Sequence, residues 1–200
     1  PVGNPTQVKD SRGNVSTLQY DVNNKLKQVT APAPFNHRTK HFYDLNGNLE
    51  QIERAAPFGI QTTSYTYTAL DQLKAMTDHQ ANVTTFQYDP NGNRKKVIDA
   101  ELKETNYLYD ERDLLYTVTD AKSQVTAYGY DLNGNLASLK DARTNITAYT
   151  YDEFDRLREM TYPDSTKESY TYDPASNLKT KTDPKGQVTV YDYDILNRLT

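Results

Sequence analysis

Cysteine, tryptophan and long apolar runs are all missing from this 200-residue chain. Without cysteine, the fold has neither disulfide bonds nor thiolate metal ligands. No stretch approaches the roughly 18 consecutive apolar residues of a membrane span, so we expect no membrane insertion by this segment. The first ten residues do not pair a charged segment with an apolar one, and no signal peptide is predicted in this segment.

Charge of one sign is also scarce. The net charge is −4, and the 23 basic and 27 acidic residues are scattered rather than grouped. A nucleic-acid partner is therefore not expected, because such proteins present a basic patch or stripe. Hydrophobic residues make up only 36% of the chain, and tyrosine accounts for 17 residues. The fold must bury apolar area largely with these amphipathic rings.

The tyrosines recur at a fixed period, which indicates a repeat protein. Nine units align on the second tyrosine of a Tyr-x-Tyr-Asp pattern, with spacings of 23, 24 and then 21 residues, six times in succession, and seven of them have an aromatic residue at the first position. Aspartate follows the second tyrosine in every unit but the third, where Thr68 stands. The predicted structural signature is Tyr20, Asp21, Tyr43, Asp44, Tyr67, Tyr88, Asp89, Tyr109, Asp110, Tyr130, Asp131, Tyr151, Asp152, Tyr172, Asp173, Tyr193 and Asp194. We expect one array over residues 1–200, as a fragment of a longer chain.

Each unit has the pattern of a β-hairpin. Segments such as "NITAYTYD" are rich in β-branched and aromatic residues, which is typical of a strand. Asn-Gly follows at 46–47, 91–92 and 133–134, and it is a strong hairpin signal because both residues tolerate positive φ. A second strand such as "NLASLKD" comes next. The chain is therefore predicted to be all-β, with antiparallel hairpins of about 21 residues per unit.

The leucine of each unit does not fit a regular hairpin. A two-residue loop would place the first aromatic residue of a pair opposite the apolar residue nine positions after the second tyrosine, as with Tyr128 and Leu139. Leu136 precedes Leu139 by three residues, so the two cannot share a face of a regular strand. We expect a β-bulge or a wider loop here, which would also curve the sheet. The insertions between Thr30 and Thr68 are expected to form longer loops on one rim.

Catalytic and metal sites find little support in the sequence. The loop 44–50 has oxygen ligands at alternate positions but lacks the glycine and glutamate spacing of a calcium loop. His37 and His41 are interpreted as solvated rim residues. No nucleophile elbow or phosphate loop occurs, and Asp-Pro-x-Gly at 183–186 is explained as a turn. Because the aspartates recur in eight units, we expect them to accept hydrogen bonds from turn amides; no catalytic residue, metal or cofactor is assigned.

The stretch "VTAYGYDLNGNLASLKDARTNITAYTYDEFDRL" resembles the YD repeats of the Rhs family, which includes bacterial polymorphic toxins, toxin-complex cocoon components and teneurins. The resemblance covers essentially the whole chain. It implies hairpins wound into a curved, spiralling sheet that is part of a hollow shell, often around a toxic C-terminal domain. Family members cut themselves at an aspartate-bearing region after the repeats, and no position here matches that region.

The resemblance implies a non-enzymatic wall segment, secreted or at the cell surface. Its partners would be the rest of its own shell and an enclosed C-terminal toxin or cargo domain. A cell-surface adhesin or carbohydrate-binding stalk is the alternative, since aromatic rows can also stack on sugars. Glycans and a secretion machinery remain further candidate partners. A fibre built by end-to-end pairing of terminal strands is a third hypothesis.

Overall fold

A computed structural model describes residues 3–34, 37–56 and 59–200, and these residues contain strands and turns but no helix. They form two compact units, 1–104 and 105–200. The strands of the first unit are β1 Gln7–Lys9, β2 Val15–Tyr20, β3 Leu26–Thr30, β4 Arg38–Tyr43, β5 Leu49–Ala56, β6 Gly59–Tyr67, β7 Leu73–Thr77, β8 Val83–Tyr88 and β9 Arg94–Ile98.

The second unit repeats the same arrangement. Its strands are β10 Glu104–Tyr109, whose first residue belongs to the first unit, β11 Leu115–Thr119, β12 Val125–Tyr130, β13 Leu136–Lys140, β14 Ile146–Tyr151, β15 Leu157–Thr161, β16 Lys167–Tyr172, β17 Leu178–Thr182 and β18 Val188–Val190. Within each unit successive strands pair antiparallel. The prediction of an all-β hairpin array is confirmed.

The expected bulge is present in every hairpin that joins the two strands of one repeat. In β12 and β13, Tyr128 lies opposite Leu139, but Tyr130 lies opposite Leu136, and the register shifts between Gly129 and Tyr130. The equivalent shift occurs in seven other repeats. The extra residue lets the leucine, the apolar residue and both tyrosines share one face, which we call the tyrosine face.

The first turn of each repeat is a three-residue loop, not a two-residue Asn-Gly loop. In the turn after β12, the Asp131 amide donates to the Asn135 carbonyl at 2.9 Å and the Gly134 amide donates to the Asp131 carbonyl. Only the glycine of this Asn-Gly pair has positive φ, at 90°. This is a type I turn followed by a left-handed residue, so Asn133 needs no left-handed conformation.

The second turn, between repeats, has the same form. Its left-handed position is occupied by glycine at Gly13 and Gly186, but by Leu102 with φ 62° and Thr144 with φ 69° elsewhere. An L-residue with a branched or bulky side chain is strained in this conformation. These turns keep the 21-residue repeat length, but their left-handed residues carry backbone strain.

The irregular repeats depart from expectation in one place. Residues 31–37 do separate β3 from β4, with Phe35 and Asn36 outside the described residues. The insertion near residues 55–61 was expected to lengthen a loop, but it lengthens the strands instead. β5 and β6 pair continuously, from Gln51 opposite Ser64 to Ala56 opposite Gly59. Residues 57 and 58, between these strands, are outside the described residues.

No apolar side chain is fully buried in the described parts of the chain. The residues of the tyrosine face are half-buried, the opposite face mixes half-buried and exposed residues, and the turn tips are mostly exposed. Each described unit is therefore a single layer of strands that has no closed hydrophobic core.

Candidate functional site

The aspartate of the Tyr-Asp signature opens the first turn and caps it. The Asp131 carboxylate accepts the Asn133 and Asn135 amides through Oδ1, at 3.0 and 2.8 Å, and the Asn135 side-chain amide through Oδ2. The same turn-amide contacts occur at Asp21, Asp44, Asp89, Asp110, Asp152, Asp173 and Asp194. In the loop 44–50, considered above as a calcium site, both Asp44 oxygens accept hydrogen bonds from Asn48.

These contacts favour the charged carboxylates. The side-chain hydrogen bond from Arg156 lowers the pKa of Asp152. At Asp131, partial desolvation acts to raise the pKa, but the hydrogen bonds from Asn135, Asn133 and Gly134 together lower it. Asp131 and Asp152 are therefore ionised turn caps at neutral pH.

The second tyrosine reaches back to the preceding repeat. The Tyr151 hydroxyl donates to the Leu136 carbonyl at 2.9 Å, and Tyr130 makes the same bond to Leu115. Leu136 immediately precedes the bulged residue Ala137, and the ladder between β13 and β14 ends at Ser138, so the Leu136 carbonyl is available to the tyrosine hydroxyl. Equivalent bonds are made by Tyr43, Tyr67, Tyr88 and Tyr172, and Tyr20 bonds to Pro5.

Polar side chains also join one first turn to the next. Asn133 and Asn135 both donate to Asp155 Oδ1, at 2.8 and 2.7 Å, and Asp155 occupies the left-handed position of the following turn. Arg156 then donates to Ser176 in the turn after that, at 3.0 Å. These side chains couple the first turns of successive repeats.

His41 does not occupy the solvated rim position expected for it. It lies in β4 at the first aromatic position of the repeat, opposite Ile52. Its Nδ1 atom is buried and has no hydrogen-bond partner among the residues that the structure describes. Burial, and then the charge of Arg54, lower the pKa of this imidazole. His41 is a neutral substitute for an aromatic residue.

One cluster of charged groups escaped the sequence analysis. Glu168 in β16 is 7% exposed and is the one residue in the described parts of the chain that counts as buried. Its carboxylate binds Lys181 Nζ at 2.8 Å, accepts the Tyr170 hydroxyl, and lies 3.5 Å from the Tyr162 hydroxyl. The side-chain hydrogen bond with Glu168 raises the pKa of Lys181, so the pair is ionic. The sequence did carry a signal, because both residues break the repeat pattern.

The described residues show neither a metal-binding cluster nor a membrane-spanning helix. No group of three or more histidine, aspartate or glutamate side chains is arranged to hold a metal ion within residues 3–34, 37–56 and 59–200. The same residues contain no helix with the length and apolarity of a membrane span.

Comparison with solved structures identifies the fold. A crystal structure of TcdB2-TccC3 superimposes with a TM-score of 0.67 at 16% identity, covering 99% of this chain and 15% of that one. The Photorhabdus luminescens Tc holotoxin pore matches with a TM-score of 0.59 at 14% identity, with 99% and 15% covered. TcdB2-TccC3 without its hypervariable C-terminal region matches at 0.53 and 16% identity, with 99% and 16% covered.

This chain therefore spans about 15% of the length of those proteins. No curated protein sequence matches it. The family model for the teneurin YD-shell matches residues 1–193, which is nearly the whole chain. Together with the Tyr-Asp hairpin repeats, this match shows that the chain belongs to the teneurin YD-shell family.

Proposed function

We propose that this chain is a non-enzymatic wall segment of a YD shell that encloses a toxin or other cargo domain. The match of the YD-shell family over residues 1–193 carries the proposal. Residues 1–200 would form one continuous array within a longer, curved and spiralling sheet. The partners would be the remaining repeats and a cargo domain of the same protein, at a secreted or cell-surface location.

The architecture supports this role. Each unit is one strand thick, has no buried apolar side chain among its described residues, and extends by adding hairpins. Such a layer can cover a large area with few residues, whereas it cannot enclose a deep catalytic pocket of its own. The Tyr151 hydroxyl bonds to the preceding hairpin, and the Asp131 carboxylate caps its own turn.

The test is electron microscopy of the full-length parent protein, combined with limited proteolysis of its C-terminal region. We expect a closed hollow particle in which that region resists cleavage. The control is the same protein after denaturation, when the region must be cut readily. An open or filamentous particle with an accessible C-terminal region would contradict encapsulation.

A further inference from the structure

The hairpin of β16 and β17 lacks the apolar residue that sets the register elsewhere. Nine positions after the second tyrosine, the other repeats with this position in a strand have Val29, Ile52, Met76, Val97, Val118, Leu139 and Met160. In β17 this position is Lys181, which lies opposite Tyr170 on the tyrosine face. Only Leu178 remains as an apolar residue in the strand "LKTKT".

The polar pattern of β17 favours a different register. In a hairpin without the bulge, Leu178, Thr180 and Thr182 would alternate onto the tyrosine face, and Lys179 and Lys181 would both lie in solvent. Lysine prefers that position because burial of its charge is costly. A register difference of one residue exchanges the two faces of a strand, so this alternative competes directly with the observed structure.

Glu168 provides the interaction that favours the observed register. Its position, four before the second tyrosine, is serine or threonine in all eight other repeats: Ser16, Thr39, Thr63, Thr84, Thr105, Thr126, Thr147 and Thr189. The array therefore folds without a carboxylate at this position. The two exceptional residues contact each other at 2.8 Å, and the Tyr170 and Tyr162 hydroxyls approach the same carboxylate.

Tyr162 is a third exception, because this second-turn position is aspartate in most regular repeats, as at Asp141 and Asp183. The turn keeps its cap through Asp164, whose Oδ1 accepts the Thr166 amide at 3.0 Å. Because Asp164 caps the turn, the side chain at position 162 is not needed as a cap, and the Tyr162 hydroxyl lies near Glu168. Two of the exceptional residues, Lys181 and Tyr162, thus approach the carboxylate of the third, Glu168.

We propose that the Glu168–Lys181 ion pair selects the bulged register of the β16–β17 hairpin, in place of the missing apolar residue. In the bulge-free register Lys181 would lie on the opposite face and Glu168 would stay on the tyrosine face without its cation. Loss of one partner of a buried ion pair leaves an uncompensated charge, which strongly disfavours that arrangement. A unique polar contact can also specify a pairing that hydrophobicity leaves ambiguous.

Cysteine cross-linking distinguishes the two registers, since the chain has no cysteine of its own. Thr171 lies opposite Thr180 in the bulged register, with their hydroxyl oxygens 2.6 Å apart. In the bulge-free register Thr171 would instead lie opposite Lys179. The reporters are full-length chains with Thr171→Cys and Thr180→Cys, or with Thr171→Cys and Lys179→Cys, oxidised under mild conditions.

We expect Glu168→Thr to lower the yield of the 171–180 disulfide by about fivefold or more and to raise that of the 171–179 disulfide. Adding Lys181→Met, the residue type of Met160, should restore the 171–180 disulfide because the apolar residue then sets the register. Glu159→Thr, which removes the more exposed Glu159–Lys167 pair at 2.8 Å, serves as the control and should change neither yield.

Two outcomes would overturn the proposal. An unchanged 171–180 yield in Glu168→Thr would mean that the ion pair is not needed for the register. Loss of both disulfides in that variant would mean that the pair stabilises the hairpin without choosing its register. Neither outcome bears on encapsulation, which the microscopy of the parent protein tests.

Discussion

In repeats such as that of Tyr151, the hydroxyl group of the second tyrosine couples two hairpins. We predict that Tyr151→Phe lowers the free energy of unfolding by about 0.5–1.5 kcal/mol, because the Leu136 carbonyl loses its hydrogen bond. Urea unfolding of the full chain measures this. The matched control is Tyr149→Phe, since the Tyr149 hydroxyl has no hydrogen bond to any described residue and its loss should be nearly neutral. Equal effects of the two substitutions would contradict this role.

His41 gives the chain a pH dependence near neutrality. Burial lowers its pKa in the folded state, so below the ordinary value of about 6.5 the unfolded chain binds more protons and stability falls as the pH falls. We predict that His41→Phe removes this loss as the pH falls below about 6.5 and adds about 0.2–1 kcal/mol through a cross-strand aromatic contact.

The measurement for His41 is urea unfolding at several pH values. His79→Gln is the control, because it removes the imidazole of an exposed turn residue. A profile that His41→Phe does not change would assign the pH dependence to other groups.

At the scale of the element, the left-handed turn position is a measurable source of strain. Thr144 holds φ 69°, which a β-branched residue disfavours. We predict that Thr144→Gly raises the free energy of unfolding by about 1 kcal/mol. The reciprocal control is Gly186→Thr at φ 80°, where an added Cβ meets no neighbour, so conformational strain alone should lower stability. Thermal unfolding of both variants checks the pair.

The hairpins themselves could be predicted from sequence, because alternation and a constant 21-residue period identify strands without knowledge of contacts. The bulge was predictable too, since Leu136 and Leu139 are three residues apart. The exact loop was not, because Asn-Gly suits both a two-residue turn and the last two residues of a three-residue loop. The extension of β5 and β6 into a Pro- and Gly-containing segment was missed because tertiary pairing outweighs local preference there.

The site was less predictable than the fold. The turn amides that surround Asp131 follow from its place before a turn, but the bond from Tyr151 to Leu136 depends on which carbonyl the bulge leaves outside the ladder. The Glu168 cluster required comparison of each position with its equivalents in the other repeats. Lys181 stood out as a break in the apolar column, but its partner was visible only in three dimensions.

For the whole molecule, acid should unfold the array cooperatively. Hydrogen bonds lower the pKa of turn aspartates throughout the chain, in spite of partial desolvation at several of them: Asp10, Asp44, Asp78, Asp89, Asp110, Asp131, Asp141, Asp152, Asp173 and Asp194. A carboxylate with a depressed pKa stabilises the fold above its unfolded value, and this contribution disappears as the pH falls through the folded value.

We therefore predict that stability changes little through these groups above about pH 4 and falls steeply below it. Circular dichroism during acid titration of His41→Phe, which removes the histidine contribution, measures the transition. A parallel titration in high salt controls for general charge repulsion. A midpoint well above pH 4 in that variant would contradict the assignment to turn aspartates.

The absence of buried apolar side chains in the described residues has a calorimetric consequence. The heat capacity of unfolding rises with the apolar area that becomes exposed, and globular domains show about 12–15 cal/mol/K per residue. A single layer whose tyrosine rings are already half-exposed exposes less additional apolar area when it unfolds. Its heat capacity of unfolding per residue should therefore fall below that range. Its stability would then vary weakly with temperature, and cold would weaken the isolated chain less than it weakens a globular domain.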